Sequence, residues 1–84
     1  MTRSARPARM TAIAANGFAA LIIESELINA KNMELMQAYE NIYYMYLNNI
    51  GTVNLINKAM VKLENSLHCR GISLNTLRER AHNA

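Results

Sequence analysis

The side chains able to do chemistry in this 84-residue chain are few and scattered. There is one cysteine, there are two histidines, and all six acidic residues are glutamates. His68 and Cys69 are sequence neighbours, and on a helix their side chains diverge by about 100°, which works against activation of the thiol by the imidazole. Glu24 and Glu26, the closest carboxylates, also point to different faces, so no acid–base pair forms. His68, Cys69 and His82 lack the C-x-x-C or H-x-x-x-H spacing of a structural metal site. No catalytic, metal or cofactor site is expected, and the chain reads as a non-enzyme.

The remaining polar chemistry is arginine. Arg3, Arg6 and Arg9 account for the whole formal charge of +3, and the rest of the chain is neutral. Residues 1–9 are therefore expected to be a flexible basic arm, and residues 10–84 a single helical domain. Arg3, Arg6, Arg9 and Arg80 are the candidate nucleic-acid contacts. A neutral body lacks the clustered positive charge that neutralises many phosphates, so direct nucleic-acid binding is not the expected mode.

Aromatic chemistry is concentrated in one place. All four tyrosines fall within AYENIYYMYLNN, residues 38–49, and Phe18 is the only other aromatic. Counted at about 100° per residue, Tyr39, Tyr43 and Tyr46 share a stripe with Leu35 and Ile42, the pattern of a core-facing helix surface. Their hydroxyls are expected at the edge of a bundle or paired with asparagines, because a buried hydroxyl needs a partner. Tyr44, Met33 and Met45 fall outside that stripe. Exposed aromatic and methionine side chains of this kind mark protein interfaces, which makes Met33, Tyr44 and Met45 candidate partner contacts.

The elements that must position these groups read as helices. Pro7 is the only proline, and Ala, Leu, Met, Glu and Lys populate the middle of the chain. Thr11 is a possible first cap, but Asn16 and Gly17 weaken that start, so the firm helix is expected from about residue 18 and runs without a strong breaker to 49. NNIGT offers Gly51 as a left-handed C-cap and Thr52 as an N-cap; RGIS offers Gly71 and Ser73 in the same roles. Helices are thus expected over about 18–49, 53–69 and 74–82.

A seven-residue spacing runs across these breaks. Leu35, Ile42, Ile56 and Leu63 form one series, with Asn49 in its gap, and Tyr39, Tyr46, Val53, Met60, Leu67 and Leu74 form the companion. This is an a/d pattern that stays in phase through Gly51, so the all-α fold is either a helical hairpin or one long helix with coiled-coil-like packing. A chain of this size buries only roughly 60% of its unfolded surface, and with one cysteine it has no internal disulfide. Self-association is the remaining source of stability. The expected assembly is a multi-chain helical bundle, a dimer or tetramer, with Leu35, Tyr39, Ile42, Tyr43, Tyr46, Val53, Ile56, Met60, Leu63 and Leu67 as its oligomer core. On the segment from Val53 to Cys69, Lys58 and Lys62 are expected on a solvated face.

The final piece, ISLNTLRERAHNA, places Leu74, Leu77 and Ala81 on one side with Arg78 and Arg80 flanking. It reads as a bundle cap, a partner-docking arm through Leu77 and Arg78, or a DNA-reading helix. The uncharged run from Met10 to Ile23 is shorter than the roughly 20 residues that span a bilayer, and no A-x-A-like cleavage site follows it. A cytoplasmic protein with no membrane contact is expected.

A short, helical, neutral-bodied, oligomer-prone chain of this kind resembles the small antirepressors of temperate bacteriophages. The likeness is one of overall design and carries no residue across. It implies a non-enzymatic protein that binds a transcriptional repressor and inactivates it. The alternatives are a small DNA-binding regulator and a purely structural self-assembling protein.

Overall fold

The computed structural model describes residues 11–83, so the expected basic arm lies outside the described residues. Within them are four helices and no strand: α1 Ala12–Glu24, α2 Asn32–Leu47, α3 Val53–Cys69 and α4 Leu74–His82.

Helix α1 starts earlier than the sequence suggests. Thr11 adopts an extended backbone and its Oγ1 accepts from the Ala14 N–H at 3.1 Å, which satisfies one of the unpaired first-turn donors. That cap, with burial of Ala15, Ala19 and Ile22, outweighs the cost of about 1 kcal/mol for Gly17 inside the helix.

The expected unbroken helix over 18–49 is corrected. It is two helices, separated by residues 25–31, and α2 opens with Glu34 accepting from the Lys31 N–H at 2.9 Å. Lysine has no acceptor, so only this half of a capping box is made.

The other two breaks fall where expected. At the end of α2, Asn49 takes the left-handed conformation with φ 56°, while Ile50 N–H reaches Met45 O at 3.0 Å and Asn49 N–H reaches Tyr46 O at 3.4 Å. At the end of α3, Gly71 does the same with φ 74°, with Ile72 N–H to Leu67 O at 3.0 Å and Gly71 N–H to His68 O at 2.9 Å. Both are Schellman closures. Asn49, not Gly51, is therefore the left-handed cap of α2.

Gly51 has a different duty. Its φ is 86°, and a Cβ there would lie 2.9 Å from Asn16 Oδ1, 3.1 Å from Ala15 Cβ and 3.2 Å from Ile56 Cδ1. Asn16 uses this closeness: its Oδ1 accepts from Thr52 N–H at 2.7 Å and its Nδ2 donates to Thr52 Oγ1 at 3.1 Å. The helix thus reverses at this turn, and the continuous-helix alternative is excluded.

The helices lie side by side in the order α1, α3, α2, α4. Asn16 meets the start of α3 and Ile23 meets its middle, so α1 and α3 run parallel, with α2 antiparallel between them in sequence. The connection over 25–31 must therefore run along α3 to reach the start of α2.

Leu35, Tyr39, Ile42, Ile56, Met60, Leu63 and Leu67, expected as the core of an assembly, are buried inside one chain, together with Met45, Ala59 and Leu77. The heptad spacing therefore marks the inward faces of α2 and α3 within one chain. Two members of the expected core are exposed: Val53 at 64% and Tyr46 at 43%. They sit at the turn, where neither helix has a neighbour beyond it, and edge a recess of about 100 Å³ with Ile50 and Gly51.

Candidate protein-binding surface

The tyrosine stripe forms a latch for α4. Tyr39 is fully buried, yet its hydroxyl donates to Glu64 Oε2 at 2.7 Å and accepts from Arg78 Nε at 2.9 Å, while Arg78 Nη2 donates to the same carboxylate oxygen at 3.0 Å. Three helices meet in this triad. Burial of the phenol, with the neighbouring Glu64 carboxylate, pushes the Tyr39 pKa up to about 12, against the opposing pull of Arg78. The bonds to Tyr39 and Glu64 raise that of Arg78.

Beside the triad, Tyr43 is half-buried, with its ring 5.8 Å from Tyr39 and 5.9 Å from Tyr46. The Arg78 guanidinium lies 5.8 Å from the Tyr43 ring centroid, and His82 meets the ring edge-on at 6.0 Å. The stripe is an intrachain seat for α4, and the Tyr39 hydroxyl pairs with Glu64 and Arg78 instead of an asparagine.

Several expected contact residues are thereby spoken for. Leu77 is 1% exposed beneath α4, and Arg78 is held by Tyr39 and Glu64, so neither forms a free docking arm. Met45 is 0% exposed, because α3 covers that side of α2 next to the turn. Arg80 pairs with Glu40 at 3.0 Å, and Arg3, Arg6 and Arg9 lie outside the described residues. Of the expected partner contacts, Met33 remains open at 65%, and Tyr44 lies half-buried on the same face of α2.

A feature missed by sequence reading lies where the 25–31 connection crosses α3. Lys62, expected on a solvated face, donates from Nζ to Ile23 O at 2.7 Å and to Ser25 O. Arg70 holds the other end: Nη1 donates to Ala30 O at 2.6 Å and Asn32 Oδ1 at 2.9 Å, and Nη2 donates to Leu27 O at 2.9 Å and Ile28 O at 3.3 Å. Lys62 serves carbonyls at the C-terminal end of α1, and Arg70 serves carbonyls of the connection that lie outside any helix. Between the connection and α3 opens a groove of about 670 Å³, with Leu27, Ile28, Asn65 and Cys69 among its lining. Ile28 stands on its rim, 81% exposed, and Met33 follows in the first turn of α2.

Among the described residues, no cluster of three or more His, Cys, Asp or Glu side chains is placed to hold a metal, and no helix is long and apolar enough to cross a membrane. Comparison of the chain with protein-family models, with curated proteins and with solved structures finds no match.

Proposed function

We propose that the chain is a non-enzymatic helical regulator that binds and inactivates a partner protein, in the manner of a phage antirepressor sequestering a transcriptional repressor. The observation that carries this reading is the pinned connection: Ile28, 81% exposed, and Met33, 65% exposed, are presented next to an open apolar groove by a backbone that Lys62 and Arg70 hold in place. Large apolar side chains on a fixed frame cost little ordering entropy on binding, and they are the groups that interfaces enrich. A cytoplasmic setting accords with the single cysteine.

The test is capture of partners from the native host by the tagged chain after nuclease treatment, followed by titration of the purified partner. Ile28→Lys and Met33→Lys are expected to weaken binding tenfold or more with unchanged helical circular dichroism. If the partner is a repressor, its operator complex should dissolve on addition of the wild-type chain only. Equal binding by both variants would remove this surface from the reading. A DNA-binding regulator is less well supported, because Arg78 and Arg80 are engaged with Glu64 and Glu40.

A further inference from the structure

We infer that the outer face of α1 pairs with the same face of a second copy of this chain, antiparallel about a two-fold axis near residues 17–20. Helix α1 buries Ala15, Ala19 and Ile22, and its opposite side carries Ile13, 84% exposed, Gly17, Leu21, 66% exposed, and Glu24. These four positions share an arc of roughly 80°. No residue from Ala12 to Ile23 is charged. A helix that is apolar on both sides is ordinarily covered on both sides.

Two further observations select the occupant and its direction. A Cβ at Gly17 would meet nothing within 4 Å, so nothing within the described residues requires a glycine in the middle of this helix. Close approach of another backbone is what glycine permits there. The charge pattern then gives the orientation. Helix α1 has no acidic residue in its first turn and no basic one in its last, which ends in Glu24, so its carboxylate sits at the negative end of its own macrodipole. Antiparallel pairing sets Gly17 against Ala20 of the second copy at the crossing point, and sets each Glu24 beside the first-turn N–H groups of the other helix. Both mismatched ends become complementary, with an isologous contact of the kind that closes a dimer.

One face of one helix is smaller than the roughly 800 Å² per partner of a standard stable interface, so the dimer is expected to dissociate in the micromolar range. Sedimentation equilibrium of the full chain under reducing conditions should show the mass rising from that of the 9.5 kDa chain towards twice that value with concentration. Leu21→Lys and Gly17→Leu should each weaken association at least tenfold while the circular dichroism of the monomer is retained, since both positions are open in the single chain. In a Cys69→Ser background, Ile13→Cys combined with Glu24→Cys should oxidise to a 13–24 cross-link between copies. A wild-type chain that stays monomeric up to millimolar concentration overturns the inference. So does a dimer unaffected by Leu21→Lys, or a cross-link joining 13 to 13 and 24 to 24.

Discussion

The turns after α2 and α3 and the connection after α1 stop helices in opposite ways. The first two are closed by their own backbone, with Asn49 and Gly71 in the left-handed region and the following N–H groups returned to the last turn. Ser25 and Ala30 make local bonds to the Leu21, Ile22 and Leu27 carbonyls, but the connection over 25–31 is held mainly from a distance, by Lys62 and Arg70 reaching from α3 to carbonyls at Ile23, Ser25, Leu27, Ile28 and Ala30. The α3–α4 turn closes without help from α1, whereas the α2–α3 turn is also tied to α1 through Asn16, and the connection through Lys62. Stability and the shape of the candidate binding surface are therefore coupled, because the cations that fix the connection belong to α3.

The strongest way to break this contrast is Gly51→Ala. It combines a left-handed residue with a Cβ at 2.9 Å from Asn16 Oδ1 and 3.1 Å from Ala15 Cβ, so a loss of about 2–4 kcal/mol is expected in urea denaturation. Arg70→Met should come next, at about 2–3 kcal/mol, because it strips a charged donor from carbonyls of the connection. Its signature is local: amide hydrogen exchange should accelerate over 25–31 more than at the α2–α3 turn. Arg70→Lys should rescue little, since an ammonium cannot span the same fork of acceptors. Gly71→Ala sharpens the comparison from the other side. Here φ is 74° but the surroundings are open, so only the backbone cost of about 1–2 kcal/mol is expected.

The latch under α4 gives a pH-dependent test. Because the Tyr39 pKa is raised from 10.0 to about 12, the folded state holds this proton more tightly than the unfolded chain. That contribution is complete below pH 10 and is lost as pH rises from 10 to 12. Thermal melts across this window should show a falling midpoint that Tyr39→Phe flattens. At neutral pH, Tyr39→Phe should cost about 1–2 kcal/mol, since Glu64 keeps Arg78 but loses the phenol donor.

The same contrast explains what was legible in the sequence. The all-helical class, the breaks near 49 and 71 and most of the interior followed from local propensity, turn residues and a seven-residue spacing. The break at 25–31 carries no glycine or proline, and its stabilising partners lie about 40 residues away in the chain. One trace of it is present. Continuing the buried series Ala15, Ala19, Ile22 at helical spacing lands on Glu26 and Asn29, and the series Leu35, Tyr39, Ile42 is out of phase with it by roughly 160°. An unbroken helix would have buried its two halves on opposite sides. Met45 and Leu77 were assigned to a surface because a helical wheel for one element cannot show which neighbours flank it.

The side-by-side order of the helices also has a kinetic consequence. Helices α2 and α3 pack on each other through a short turn, whereas α1 reaches past α2 to dock on α3 and α4 reaches past α3 to dock mainly on α2. Contacts of low sequence separation close fastest. The chain is thus built to assemble outward from the α2–α3 hairpin, with α1 and α4 added later. The groups that bind α1 in the finished molecule, Thr52 and Lys62 among them, would wait unpaired until it arrives. During that interval a second chain's α1 offers the same fit as the molecule's own, so this interface is the place where two copies can exchange a helix.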